Sequence, residues 1–297
     1  MLARIQKLIA LGLFGVIALG FGIGAKLALP WLGLAFIAVI AIGYAAALAI
    51  EFAWMRTSYS RDDPARPRLA QLLRAWAAEV VTGPQVFLWR QPFRSRSEPD
   101  HLPATAAGRR GVLLIHGYFC NRGLWNPWLR KLRQAGVPFV AVNLEPVAAS
   151  IDDYREVIDA GARRLARVTG LAPVIAAHSM GGLAARAWLA ANPDDPPHRL
   201  VAVATPHSGT RLGGRGRGAN VSQMQVDSDW LAQLAAREPA TVRARFVCFW
   251  GHCDNIVFPT RSATLPGADN RHLQATPHVR MVYHPDVFAE VMRALAA

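Results

Sequence analysis

The stretch PVIAAHSMGGLAARAWLAA, residues 173–191, decides how the rest of the chain is read. Residues 173–177 make a short apolar run of strand length, and residues 183–191 read as a helix. Between them stands Ala177-His178-Ser179-Met180-Gly181, a serine with a small residue two positions away on either side. A strand that turns abruptly into a helix has no room for bulk at those two positions, and it lifts the central side chain out of the sheet's carboxyl edge. The helix start adds the Met180 backbone N–H, aimed at the place where negative charge would develop on a reacting oxygen. This is the arrangement of a serine nucleophile, with alanine at the first position where glycine is commoner. Five letters would mean little in an Ala/Gly-rich chain, so the strand before and the helix after make the motif specific.

Outward from this stretch the pattern alternates. Strands are expected at residues 112–115, 139–142, 200–204, 246–250 and, short, at 270–274. Helices are expected at 125–135, at 152–168 with Asp152 or Asp153 as the cap, and at 286–296. Strands alternating with helices imply an α/β fold, a mostly parallel sheet covered on both faces. Chemistry then belongs just after strands, at their carboxyl ends. His116-Gly117-Tyr118 follows the first strand, and the Tyr118 N–H is a second candidate donor to an oxyanion. Asp254 follows the 246–250 strand in Gly251-His252-Cys253-Asp254-Asn255-Ile256-Val257, where a carboxylate can accept a histidine N–H and fix its tautomer. Asp227 and Asp229 compete as acids but lie where strand character is lacking. In this architecture the base follows the acid in the chain, which leaves His272, His278 and His284. His207 lies further back, and His252 is too close to Asp254 to reach round it. His272 falls inside the last strand, and His284 precedes Pro285 at the start of the final helix. His278 lies in the loop between them.

The other end of the chain is of a different kind. Residues 8–55 carry only Lys26 and Glu51 as charges. Two apolar runs, 8–29 and 31–54, are parted by Pro30. The second, of about 24 residues, spans ~36 Å as a helix, enough for a ~30 Å hydrocarbon core. Trp31 and Trp54 stand at run ends, where indoles favour the membrane interface. Gly20 and Gly24 form a GxxxG that would let two helices close on each other. Arg4 and Lys7 precede the first run as they would precede a cleaved signal, but a secreted protein has no need of the second run. A two-helix transmembrane hairpin is expected, followed by five arginines, at 56, 61, 66, 68 and 74, against one lysine between the spans. That asymmetry puts both flanks, and the domain behind them, on the cytoplasmic side.

The domains expected are an anchor at 1–56, a linker at 57–110 holding an amphipathic helix over 69–81, and a catalytic domain at 111–297. The net charge of +13 is almost all arginine and dispersed, with no zinc-finger spacing and no basic groove-binding helix. Nucleic acid is therefore not an expected partner, and an anionic bilayer is. Cys120, Cys248 and Cys253 are too few for a disulfide framework and read as free thiols. The Arg/Gly-rich stretch 211–218 lacks the Lys-Ser/Thr ending of a phosphate loop and reads as a solvated loop.

Taken together, His116-Gly117-Tyr118, Ala177-His178-Ser179-Met180-Gly181-Gly182-Leu183, Asp254-Asn255-Ile256-Val257 and Thr276-Pro277-His278-Val279-Arg280-Met281-Val282-Tyr283 resemble the bacterial lipase/esterase group of α/β hydrolases. Thr205-Pro206-His207-Ser208-Gly209-Thr210 is similar to the loop after the following strand in that group. The resemblance covers 111–297 and not the anchor. It implies an α/β-hydrolase fold and cleavage of carboxylic esters. The anchor, by holding the site at the inner membrane, points further to esters of lipids. The resemblance implies Ser179 as nucleophile, His278 as base, Asp254 as its orienter, and Tyr118 and Met180 as oxyanion donors. The match for His278 is the His of a Gly-His-x-x-Leu-Leu-like stretch, with Pro277 in place of glycine. No cofactor is called for, and no metal site is carried over. An acyltransferase or thioesterase with the same triad, and a non-catalytic membrane module of the same fold, are the alternative readings.

Overall fold

The computed structural model describes the whole chain except Arg215 and Arg217. Those two arginines of the 211–218 stretch therefore lie outside the described residues. Helices α1 (Leu2–Lys26) and α2 (Leu32–Arg56) form an antiparallel hairpin turning at Pro30. Each is long and apolar enough to cross a membrane. The hairpin closes tightly because its contact positions are small. A Cβ on Gly20 would stand 2.9 Å from the Phe36 ring, and one on Gly24 would stand 2.5 Å from the Leu29 carbonyl.

Helix α3 (Leu69–Pro84) extends past the expected 69–81 and runs on into a π-helical turn (Gln85–Arg90) and α4 (Gln91–Arg94). Pro84 has no N–H to give to the ladder, and the widened turn follows it directly. The buried face of α3 is Leu72, Ala75, Glu79, Thr82 and Gly83, a helical stripe with one carboxylate in it.

Six strands follow, with their helices: β1 (Val112–Ile115), α5 (Asn126–Gln134), β2 (Phe139–Ala141), α6 (Arg155–Thr169), β3 (Val174–His178), α7 (Met180–Ala191) and β4 (Arg199–Val203). Short helices α8 (Ala219–Gln223), α9 (Asp229–Arg237) and α10 (Ala240–Arg243) come next. Then come β5 (Phe246–Gly251), β6 (Asp269–Leu273), α11 (His278–Met281) and α12 (Pro285–Ala296). Every strand pair is parallel, in the order β2-β1-β3-β4-β5-β6. The parallel α/β sheet expected from the alternation is observed, in the α/β-hydrolase fold that the resemblance implied. Strand residues alternate between two cores: Leu113, Ile115, Ile175 and Ala177 meet α6 and α7, while Val112, Leu114, Val174 and Ala176 meet α5 and α12. A side chain such as Trp188, buried to 1% exposure, contributes about 1.5–3 kcal/mol or more by that burial.

Two local expectations are corrected. The helical segment opens with a 3₁₀ turn (Ile151–Tyr154) that leads into α6, and its cap is Ser150, not Asp152 or Asp153. Its Oγ accepts from the Asp152 N–H at 3.2 Å, while the Asp153 carboxylate reaches back to the Ser150 N–H at 3.0 Å. This reciprocal box satisfies two otherwise orphaned donors, which a lone Asp could not. And His278 does not lie in a loop but opens the short helix α11.

A third apolar cluster joins the hairpin to the domain. Phe52 and Met55 of α2 and Leu72 and Ala75 of α3 pack on Cys253 and Phe258, which flank Asp254. The root of the hairpin is thus seated on the loop after β5.

Candidate active site

Ser179 follows β3 at φ +55°, ψ −129°, a conformation that costs a non-glycine residue on the order of 1–3 kcal/mol. Its surroundings hold it there. Its N–H donates to the Val203 carbonyl at 2.8 Å. Gly117 and Gly181 close around it: a Cβ on Gly117 would lie 2.8 Å from the Ser179 Cβ, and one on Gly181 would lie 2.5 Å from the His116 carbonyl. The sequence reading asked for a small residue two after the serine on these grounds, and the contact is with backbone, which cannot yield. Met180 is the first residue of α7, so its N–H is one of the helix's free donors.

The loop after β1 is fixed by His116. Its Nε2 accepts from the Leu144 N–H at 3.0 Å, so its proton sits on Nδ1 and donates to the Gly117 carbonyl at 2.9 Å. Burial pushes its pKa down to about 4, so the ring stays neutral and the arrangement stays intact through the physiological range.

Asp254, in the loop after β5, and His278, at the start of α11 after β6, are brought together. Both carboxylate oxygens of Asp254 lie 3.0 Å from His278 Nδ1, and Oδ1 also accepts from the N–H groups of Ile256 and Val257 at 2.9 and 2.8 Å. The carboxylate is thereby held by backbone as well as by the ring. Burial works against a charge on His278, but the Asp254 carboxylate, its hydrogen bond and then Glu79 outweigh it, and the pKa is raised.

The helix that carries His278 is only one turn long, and its free N–H groups are met by side chains from elsewhere. The His278 N–H donates to Asn255 Oδ1 at 3.3 Å, the Val279 N–H to Glu79 Oε1 at 2.9 Å, and the Arg280 N–H to Glu79 Oε2 at 3.3 Å. Asn255 in turn donates to Glu51 of α2 at 2.8 Å. Burial raises the Glu79 pKa to about 7, against the pull of these N–H donors and of His278. His178 packs tilted against His278, with ring centroids 4.7 Å apart, and is kept neutral by burial first and by the charge of His278 next.

Ser179, His278, Tyr118 and Asn255 line one cavity of about 270 Å³, together with Tyr44, Leu48 and Glu51 of α2 and Glu79, Gly83 and Phe87. His178 and His278 are its histidines. His272 instead pairs with His252 at 2.8 Å, His284 caps α12, and His207 is buried against Cys248. Asp229 opens α9, and Asp227 sits in a turn at φ +60°. The three cysteines are free and buried. Among the described residues no group of three or more His, Cys, Asp or Glu could hold a metal ion.

Glu51, Glu79 and Asn255 were not singled out in the sequence. Signals for the first two existed. Glu51 is the one acid in a 48-residue apolar region, and such a residue marks a functional site by default. Glu79 interrupts the apolar stripe of an amphipathic helix. Asn255 stood beside Asp254 in the Asp254–Val257 stretch of the resemblance, without a role of its own.

The sequence model of the alpha/beta hydrolase family matches residues 112–294. Among solved structures, the mature lipase BlEst2 of Bacillus licheniformis is similar over 65% of this chain and 95% of its own, at 16% identity and a TM-score of 0.56. Lipase B of Aspergillus fumigatus is similar over 69% of this chain and 57% of its own, at 18% identity and a TM-score of 0.58. At these identities the likeness is one of fold. No curated protein matches in sequence.

Proposed function

We propose that this chain, which belongs to the alpha/beta hydrolase family, is a membrane-anchored serine hydrolase of carboxylic esters. The observation that carries the reading is the shared cavity. A serine on a strained strand-to-helix turn opens into the same space as a histidine whose Nδ1 is bound by both oxygens of a buried carboxylate.

In this reading Ser179 Oγ attacks the ester carbonyl and His278 Nε2 takes its proton. The N–H groups of Tyr118 and Met180 hold the oxyanion. As the tetrahedral species collapses, His278 returns the proton to the departing alcohol. Water then attacks the acyl-serine with His278 again as base, releasing the acid. Asp254 keeps the histidine proton on Nδ1 and stabilises the imidazolium. The two apolar helices anchor the chain, with large side chains such as Leu8, Leu19, Val39 and Ile42 turned outward. The arginines after α2 favour a cytoplasmic domain.

The test is Ser179→Ala together with a fluorophosphonate probe on the full chain. Wild type should be labelled at Ser179 and hydrolyse short-chain esters. Ser179→Ala should fold, escape labelling and lose about 10⁴-fold or more of the rate. A folded Ser179→Ala protein that still hydrolyses esters overturns the mechanism.

A further inference from the structure

The cavity at Ser179 is not built by the catalytic domain alone. Tyr44, Leu48 and Glu51 of the apolar helix α2 form part of its wall. Their placement is firm. The Tyr44 hydroxyl donates to the Glu79 carbonyl at 3.3 Å, the Trp76 Nε1 to the Ala45 carbonyl at 2.8 Å, and Phe52 and Met55 are buried on the Asp254 loop. Helix α1 is docked at its own start, where Gln6 Nε2 donates to Gln91 Oε1 at 2.8 Å and to the Phe119 carbonyl at 3.0 Å.

What stands clear of the domain is therefore short. Before Tyr44 the one buried residue of α2 is Gly33, and it meets Phe21 of α1. Residues 32–43 rise only about 18 Å as helix, against a hydrocarbon core of about 30 Å. Seating both helices across a bilayer draws α2 in to about the level of Glu51, and the cavity with it. The surface around the cavity suits that depth. Val81, Trp89 and Phe119 are exposed apolar side chains, and each lies within two residues of a wall residue: Gly83, Phe87 and Tyr118.

We infer that α2 is part of the substrate site and that the substrate is a long-chain lipid ester resident in the bilayer, its acyl chain lying against Tyr44 and Leu48. The inference rests on the reading of Ser179 as the nucleophile of an ester hydrolase. In this arrangement the ester group, which sits near the polar boundary of a bilayer leaflet, reaches Ser179 without the acyl chain crossing water. The apolar wall is the anchor itself.

The full chain is reconstituted in phosphatidylcholine vesicles that carry a photoreactive diazirine on one acyl chain. Irradiation should leave adducts on Tyr44 and Leu48 as well as on the outward Val39 and Ile42. Prior reaction with hexadecyl fluorophosphonate should remove the first pair and spare the second. In parallel, Leu48→Trp should lower the ratio of umbelliferyl oleate to umbelliferyl butyrate hydrolysis by on the order of tenfold, while Ile42→Trp leaves the ratio alone. If the probe labels Ser179 but adducts on Tyr44 and Leu48 are absent, or persist after blocking, the inference falls and the hydrolase reading stands. Should Ser179 take no label and neither ester be cleaved, the hydrolase reading itself falls. Cross-linking uses the wild-type chain, so a Leu48→Trp protein that fails to fold leaves the decision intact.

Discussion

At the scale of single residues, the chemistry turns on which histidine reaches the serine and on what bears upon its proton. His278→Ala is expected to lose activity to the level of Ser179→Ala, because members of one catalytic unit do not contribute additively. His272→Ala and His284→Ala should keep most of the rate, since one ring pairs with His252 and the other caps α12. Steady-state hydrolysis of a short-chain ester by the three variants decides this, and a dead His284→Ala beside an active His278→Ala would refute the assignment. Glu79 permits a finer measurement. As the proposed base, His278 must be neutral to take a proton, and its raised pKa should move the acid limb of the rate profile to higher pH than an unperturbed histidine would give. Glu79 is one of the negative groups that raise it. Glu79→Gln removes that charge, so the protonated ring is less favoured and the limb should move to lower pH. An unmoved limb would mean that Glu79 only supports the α11 backbone.

Among the elements, α7 is the one whose position must not drift, because Ser179 caps it. Two features tie it down. Gly181 lies against the carbonyls of Ile115 and His116, where an added Cβ would stand at 2.7 and 2.5 Å. Gly181→Val must force α7 away from β1, so loss of esterase activity and a destabilisation of at least about 1–3 kcal/mol are expected. Further along the helix, Arg186 makes a bidentate pair with Glu238, Nε to Oε1 at 2.8 Å and Nη2 to Oε2 at 2.6 Å, both side chains almost wholly buried. Arg186 also donates to the His207 carbonyl at 3.1 Å. Arg186→Ala leaves a buried carboxylate whose remaining cationic neighbour among the described residues is Arg243, and should cost about 3–5 kcal/mol. Arg186→Met combined with Glu238→Leu should recover much of that loss, because the desolvation penalty goes with the charges. Thermal unfolding of the single and double variants in detergent measures both.

For the molecule as a whole, the hairpin and the catalytic loops form one body. Glu51 on α2 holds Asn255, Asn255 accepts from the backbone of His278, and Phe52 and Met55 pack on the loop that carries Asp254. A displacement of the hairpin would therefore reach the candidate base through two contacts. The proposed orientation has its own test. With five arginines from the last residue of the second helix to Arg74, against the single Lys26 at the end of the first, a carboxyl-terminal alkaline phosphatase fusion should be inactive and a green fluorescent fusion bright. The reverse pattern would place the domain on the exported side.

Much of this protein could be read in its sequence because the signals are local. A run of strand length before Ser179 and a helical run after it imply the sharp strand-to-helix turn that carries it. Short apolar runs alternating with stretches of helical length imply a parallel sheet wrapped by helices, and two long, nearly uncharged stretches imply a hairpin. The order of serine, acid and histidine along the chain narrows the base to three residues. What only the tertiary structure decided is what meets what. Glu79 lies 200 residues before the Val279 N–H it accepts from, and Glu51 lies 204 before Asn255. Hydrophobic periodicity tells which face of a helix is buried but not against which partner. Glu79 was visible only as a carboxylate in the wrong stripe, and Asn255 only as a neighbour of Asp254 with no role of its own. His278 read as a loop residue for the same reason. Its one-turn helix has too few internal hydrogen bonds to form by itself, and it exists because distant carboxylate and amide oxygens accept its free N–H groups.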